Sequence, residues 1–395
     1  MSAAADREFD VLIVGAGLPG LALALALRGS GLSVGLVDRR QPVVDETPAW
    51  DSRIFAISPG NASFLHDIGV WSRLDHERLE PVEAMRIFGD RAGAELNLSA
   101  FDEGQRALAW IVEQRELMAA TLAAWADAAS PEPICADAPA EALSSERDSV
   151  ALRLADGQTL RARLVVGADG LRSWTRDQAG ISAVPRPYGQ TAVVANFATE
   201  FAHHGRAYQW FRPDGGILAW LPLPGRRMSI VWSAPESAAE SLLALDDTQF
   251  TAGVAAAGGS VLGQLDLLTA RASYPLVFMR LPSPVAHRVA LVGDAAHGVH
   301  PLAGQGLNLG YADCDELARV LRERGAIGDP GCNLLLGRYA RNRAWATLSM
   351  QAVTDGLWRL FGAQQAIPAA LRNRGMTILD RLPAAKSVLM QPAMR

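Results

Sequence analysis

Three loops that combine glycine with carboxylate carry the chemistry open to this sequence. The first is Gly15-Ala16-Gly17-Leu18-Pro19-Gly20, set between the apolar run Phe9 to Val14 and an alanine- and leucine-rich stretch from Leu21 to Arg28. Glycines at that spacing permit a tight turn and close backbone approach, so that the N–H groups and dipole of the following helix hold a pyrophosphate. The spacing alone is a weak signal. It gains weight from Asp38, which ends a second apolar run, Leu32 to Asp38, where a carboxylate bonds ribose hydroxyls and disfavours a 2′-phosphate. The second loop, Gly167-Ala168-Asp169-Gly170-Leu171-Arg172-Ser173, follows the run Leu164-Val165-Val166. Its Asp169 either bonds a sugar or closes an Asx turn, and taken alone it favours the turn. The third runs from Leu291 to Gly310, with Gly293-Asp294 after a strand and Pro301, Gly304, Gly306, Leu307 and Asn308 leading into a helix. It supplies an acid for polyol hydroxyls and a second positive helix end for an anionic ring.

Other reactive side chains point away from rival chemistries. Lys386 is the sole lysine, which removes Schiff-base catalysis and a phosphate-binding P-loop. His297 and His300 form an HxxH pattern with no third ligand nearby, so no metal is expected. His203-His204 read as a strand edge or turn. Cys135, Cys314 and Cys332 lie far apart without CxxC spacing. That fits a reducing cytosol, and all three are expected as buried small apolar residues. A formal charge of −5 and a pI near 5.8 create no positive field, so nucleic acid is not an expected partner.

The elements that position these loops follow from periodicity. The unbroken apolar runs before and after the first glycine loop predict parallel strands buried on both faces, with a helix from Leu21 to Arg28 between them. Val150 to Val166 alternates around Asp156-Gly157 and predicts a hairpin. Segments from about 188 to 235 alternate and are rich in aromatics, which predicts a mostly antiparallel sheet. From Asp313 onward helices are expected, interrupted by Pro368 and Pro383, and 136–147 is expected as an exposed loop. The apolar stretch Val11 to Leu27 is not read as a signal or membrane segment. Its flank Asp6, Arg7, Glu8 and Asp10 is not positive, and Gly15, Gly17, Pro19 and Gly20 break it. With 395 residues, 49% of them hydrophobic and 20% charged, two packed domains are expected and disorder is not.

Taken in order, GAGLPG, GADGLRS and GDAAHGVHPLAGQGLN resemble the three signatures of the group A flavoprotein monooxygenases, which share the para-hydroxybenzoate hydroxylase fold. More locally, DSRIFAIS (51–58), WIVEQREL (110–117), YGQTAVVANF (188–197), FRPDGGILAWLPL (211–223) and LGRYARNRAWATLSMQAVTDGLWRLF (336–361) resemble the ubiquinone-biosynthesis hydroxylases. The resemblance spans nearly the whole chain. It implies an α/β fold: an FAD-binding Rossmann-like domain with an interleaved, mostly antiparallel β-sheet substrate domain and C-terminal helices. The implied divisions are 1–75, 105–180 and 275–335 for FAD, 76–104 and 181–274 for substrate, and 336–395 for the helical region.

The resemblance further implies that Gly15, Gly17 and Gly20 face the pyrophosphate of noncovalent FAD and that Asp38, with Arg39 beside it, serves the adenosine ribose. Arg53 and Arg115 would lie along the cofactor, Asp294 on its ribityl or pyrophosphate part, Pro301 beside the flavin, and the backbone from Gly304 to Asn308 at the ring's N1/O2 edge. Asp169 would serve FAD and a transient nicotinamide nucleotide together. Asp38 departs from the glutamate of many relatives, which shortens its reach. With no second GxGxxG, NAD(P)H would visit the flavin, and O2 would supply the oxygen added to an electron-rich ring. The implied substrate is a prenylated phenol, with Trp220 the candidate contact among Tyr208, Trp210 and Phe211. No residue is assigned as a catalytic base. Rival readings are a flavin-binding structural subunit of a biosynthetic assembly and a flavoenzyme of the same fold acting on another aromatic substrate. A halogenase lacks its lysine. An apolar substrate also points to a cytoplasmic enzyme with peripheral contact at the inner face of the membrane, or with other ubiquinone-pathway proteins, and homo-oligomers stay open. Leu357, Trp358, Leu360, Phe361, Leu371, Ile378, Leu379, Leu382, Val388 and Leu389, edged by arginines, are the candidate surface, with packing onto the protein itself as the alternative.

Overall fold

A computed structural model describes residues 7–44, 47–91, 93–127, 134–137, 139–325, 328–362, 366–382 and 386–387, with 303 and 366–371 described by backbone alone. The chain opens with strand β1 (Arg7–Val14), helix α1 (Leu18–Ala26) and strand β2 (Val34–Val37). Next come β3 (Ile54–Ile57), α2 (Pro59–Asp67), β4 (Glu80–Val82), β5 (Ala84–Phe88), β6 (Glu95–Ser99), β7 (Ala109–Glu113) and α3 (Gln114–Ala126). A hairpin region follows, with β8 (Ala140–Ser145), β9 (Val150–Leu154), β10 (Thr159–Gly167) and the short α4 (Trp174–Gln178). The long strands β11 (Arg186–Thr199), β12 (Arg206–Phe211), β13 (Ile217–Leu223) and β14 (Arg227–Pro235) lead to α5 (Glu236–Ala244) and α6 (Asp247–Ala257). Strands β15 (Leu265–Leu267), β16 (Ala272–Phe278), β17 (Val285–Ala286) and β18 (Val289–Leu291) precede the helices α7 (Gln305–Arg322), α8 (Asn333–Gly362) and α9 (Ala366–Asp380).

Strand β1 runs parallel to β10 on one side and β2 on the other, with Val11 opposite both Leu164 and Val34, and β18 extends the parallel core beyond β10. Its unbroken apolar run has a physical reason. Val11 and Ile13 pack with α1 and α7, whereas Phe9, Leu12 and Val14 pack with the β9–β10 hairpin on the other face. Both faces being covered, period-two alternation disappears. The expected Asp156-Gly157 hairpin is present, with Leu160 opposite Leu152.

The eight-stranded sheet follows the order β15-β11-β14-β13-β12-β5-β6, with β16 pairing β11. It is antiparallel as expected, except that β12 pairs β5 in parallel. One face, carrying Val193, Phe197, Trp220 and Ile230, is covered by α5 and α6. A third, three-stranded sheet, β3-β7-β4, lies on a separate ladder.

Several boundaries differ from expectation. Helix α1 begins at Leu18, inside the glycine motif, because Pro19 in a first turn loses no hydrogen bond there. Residues 140–145, expected in a loop, form β8, since pairing with β9 satisfies a backbone whose sequence shows little alternation. Helix α7 starts at Gln305 rather than Asp313, and Pro368 falls within the first turn of α9, while Pro383 lies outside the described residues. Cys314 is buried, but Cys135 and Cys332 are only partly so.

Candidate active site

A cavity of about 1240 Å³ lies between the parallel sheet and the eight-stranded sheet. That exceeds the roughly 300–1,000 Å³ of an ordinary small-molecule site and leaves room for a long cofactor and a second ligand. Gly15, Gly17, Asp38, Arg39, Arg53, Asp169, Asp294, Pro301, Gly304, Gly306 and Leu307 all line it, so the tertiary fold brings the three loops onto one space.

At the glycine loop, Gly15 takes φ +110°, and a Cβ there would sit 2.5 Å from the Ala168 carbonyl oxygen. Only glycine fits that approach. Gly20 faces the loop instead of the cavity, because a Cβ on it would run into the Gly15 carbonyl. Gly17 is different. Its φ of −75° suits any residue, and a Cβ would meet no atom within 4 Å. Folding does not require a glycine there, whereas a ligand lying over the uncapped N-terminus of α1 does. A long anionic cofactor therefore fits the residues present. The N-terminus of α7 is likewise without a side-chain cap, at Gly304.

The carboxylates have distinct settings. Asp38 Oδ2 accepts a 2.6 Å hydrogen bond from Ala16 N–H, tying the end of β2 to the glycine loop, and Oδ1 accepts from Arg40 N–H at 3.1 Å. Asp169 accepts from the Ser173 hydroxyl and, at 2.8 Å, from Thr175 N–H, so it caps the α4 turn while also lining the cavity. Asp294 is enclosed by protein yet keeps its surface open to the cavity. Burial raises its pKa above the ordinary aspartate value, and His297 and Arg53 oppose that rise.

Arg53 lies over the rings of Phe55 and Tyr274, at 5.6 and 5.2 Å. Arg115, by contrast, turns to the Ala49 carbonyl and stands 3.8 Å from Glu113, beside the cavity wall. Asn308 also stands behind the wall. Its Oδ1 accepts from Ser58 N–H at 3.0 Å and its amide donates to the Ala56 carbonyl at 2.7 Å, locking β3 to the start of α7. Trp220 is 1% exposed and packs with Trp210 on the opposite face of its sheet, while its neighbours Ala219 and Leu221 line the cavity. The HxxH histidines diverge: His297 Nε2 meets Asp313 at 2.6 Å and His300 Nε2 meets Gln190 at 3.0 Å.

Sequence reasoning missed the support behind Asp294. Asp313, 1% exposed, accepts from Gly293 N–H at 3.0 Å, pairs with His297, and accepts from Arg343 Nε at 2.7 Å. Burial alone would raise its pKa, but His297 and Arg343 outweigh that and hold it below the usual carboxylate range. These residues come from a loop and two helices, and no sequence spacing marks them.

Comparison with known proteins agrees with this geometry. A family model described as an FAD binding domain matches residues 8–351. The chain is 39% identical over 396 residues to the ubiquinone hydroxylase UbiL of Rhodospirillum rubrum, covering 100% of this chain and 91% of that one. It is 32% identical over 395 residues to the 3-demethoxyubiquinol 3-hydroxylase of Escherichia coli, covering 98% and 99%. The crystal structure of p-nitrophenol 4-monooxygenase from Pseudomonas putida superposes with a TM-score of 0.78 at 18% identity over 99% of each chain, which shows a shared fold. An uncapped helix end at Gly17, three loops meeting on one cavity and a family match over most of the chain agree: the protein belongs to the FAD-binding-domain family, and FAD is its cofactor.

Proposed function

We propose that this protein hydroxylates the aromatic ring of a prenylated phenol in ubiquinone biosynthesis, with NAD(P)H as reductant and O2 as oxygen source. The observation that carries the reading is the cavity itself. Its polar half is built from the glycine loop, Asp38, Asp169 and Asp294, and it continues into an apolar half lined by Ala192, Val194, Leu221, Val231 and Leu276. The first suits a dinucleotide and the second a greasy ring, and relatives named as ubiquinone-pathway hydroxylases share the whole chain.

FAD, when bound, would supply the redox chemistry and the activation of oxygen. The chain's own residues bind and orient. Gly15 and Gly17 would admit the pyrophosphate to the α1 N-terminus, Asp38 and Arg39 would serve the adenosine ribose, Arg53 and Asp294 would hold the middle of the cofactor, and Asp169 would serve cofactor and nicotinamide together. Pro301 would stand beside the ring, and the uncapped start of α7 from Gly304 would offer positive potential to its N1/O2 edge. Arg115 and Asn308 act from behind, through the loop at Ala49 and through β3. The division into FAD segments (1–75, 105–180, 275–335), substrate segments (76–104, 181–274) and a helical region (336–395) accompanies this reading.

Purified protein loaded with FAD and given a prenylated phenol under isotopically labelled O2 should consume NAD(P)H only with substrate present and place the label in the product. Substrate-independent consumption, or product without label, would overturn it, and neither consumption nor product would favour a structural flavoprotein. Among the described residues no helix is long and apolar enough to cross a membrane. The substrate would be met at the cytoplasmic face of a bilayer or handed over by a pathway protein, through Leu360, Ile378 and Leu382, which are 42%, 60% and 49% exposed.

A further inference from the structure

The cavity wall built by the eight-stranded sheet is apolar except at one enclosed position. Ala192, Val194, Ala207, Ala219, Leu221 and Val231 line it, and among them, on β12, stands Gln209. Tyr274 is the other polar side chain this sheet contributes, but it is 36% exposed and lies under Arg53, whereas Gln209 is 5% exposed. Alternation along β12 sends Tyr208 and Trp210 to the opposite face, where they stack with each other, and so aims Gln209 into the cavity. Its cross-strand neighbours, Ala219 and Ile87, carry no polar side-chain atom.

A primary amide has two N–H donors and a carbonyl acceptor. Among the described residues, none of these has a protein hydrogen-bond partner. On the wall of a cavity this size the amide is open to solvent until a ligand fills the space, and a ligand that displaces that solvent must replace its hydrogen bonds. The surrounding wall, mostly aliphatic, holds an apolar ring but gives it little preferred rotation.

We infer that the Gln209 amide hydrogen-bonds an oxygen substituent of the aromatic substrate, and thereby selects oxygenated rings and sets which ring carbon faces the flavin. The inference rests on the hydroxylase reading above and deepens it. An amide can accept from a phenol O–H or donate to a phenol oxygen, and it does neither by exchanging protons. Gln209 is thus an orienting contact, and the selectivity it confers does not titrate.

The test compares FAD-loaded wild type with Gln209→Leu, using 2-prenylphenol and prenylbenzene, which differ only in the hydroxyl. Binding is read from the perturbation of the flavin absorbance. Wild type should favour the phenol by about tenfold, and Gln209→Leu should abolish that preference by weakening the phenol while leaving prenylbenzene unchanged. Turnover of the variant should yield less product per NAD(P)H, with the difference appearing as hydrogen peroxide, or more than one hydroxylated isomer. Retention of the phenol preference together with a single, fully coupled product would overturn the inference. If Gln209→Leu does not fold or take up FAD, Gln209→Met gives the same comparison. Absence of any labelled product from wild type would defeat the hydroxylase reading itself, whereas the binding comparison in the oxidised protein still judges Gln209 alone.

Discussion

At the scale of single residues, the site depends on carboxylates whose partners come from distant parts of the chain. Asp294 stands open to the cavity with burial raising its pKa, and on the proposed reading its oxygens would accept from cofactor hydroxyls. Replacing it with alanine should weaken FAD binding by about 1–3 kcal/mol, because donors on the cofactor lose their partner. Melting of the apoprotein should barely change. Fluorescence titration with FAD checks this, and an unchanged affinity would show that the loop serves another purpose. Asp313 is a different case: it does not line this cavity and neutralises a partly buried arginine. Asp313→Ala leaves Arg343 uncompensated and Gly293 N–H unpaired, which should cost about 3–5 kcal/mol of stability. Denaturant unfolding would show it, and a loss below about 1 kcal/mol would mean that Arg343 finds water.

At the scale of elements, two helices present uncapped N-termini to one cavity, α1 at Gly17 and α7 at Gly304. Their orphan N–H groups and positive dipole ends make anion sites only while nothing covers them. Gly17→Val separates ligand from fold, since the backbone there suits any residue and a Cβ meets no atom within 4 Å. The variant should fold as apoprotein with only a small loss of stability at the helix N-cap, yet be isolated colourless and take up FAD at least tenfold more weakly. Calorimetric melting and absorbance after FAD addition decide it. A yellow Gly17→Val protein would place the pyrophosphate elsewhere. Helices α8 and α9 show the opposite arrangement. Phe361 stacks on Phe211 at 3.7 Å, Leu357 and Leu379 line the cavity, and Arg372 is buried against Asp90. Much of the apolar surface that resembled a membrane face closes the protein's own interior.

At the scale of the whole molecule, acid sensitivity and surface contact remain. His300 is buried beside Tyr188 and Gln190, and desolvation pushes its pKa down to about 4 from an ordinary 6.5, against a smaller upward pull from Asp355. The unfolded chain then takes up the proton first. Stability from this group is complete above about pH 7, declines as pH falls from about 6.5 towards 4, and is about 2 kcal/mol lower at pH 5. His300→Asn, compared with wild type by denaturant unfolding at pH 7 and pH 5, should show a shallower loss, and equal losses would exclude His300 as the source. The exposed Leu360, Ile378 and Leu382 carry the membrane expectation. Wild type should float with anionic liposomes, and Ile378→Glu with Leu382→Glu should not, while both keep the same melting temperature. If neither floats, delivery by a partner is the better account. Val388 and Leu389, part of the same expectation, lie outside the described residues, as does the side chain of Leu371.

What the sequence determined by itself was local: runs such as Phe9–Val14 mark strands by composition, and the three glycine and carboxylate loops mark themselves by spacing, because tight turns and helix starts depend on residues adjacent in the chain. Their cofactor, too, was legible, since a glycine turn opening a helix after a strand is the kind that holds a pyrophosphate. Only the tertiary structure decided which candidates reach the cavity. Asn308 shares a motif with Gly304, and Arg115 was expected along the cofactor with Arg53, yet Arg115 and Asn308 face backbone carbonyls behind the wall, because the pitch of a helix and the packing of β3 set their direction. That Trp220 turns from the cavity and Gln209 into it follows from which face of a twisted sheet α5 and α6 cover, and that depends on contacts far apart in sequence. The same holds for Asp313, whose partners His297 and Arg343 become neighbours only when α7 and α8 pack together.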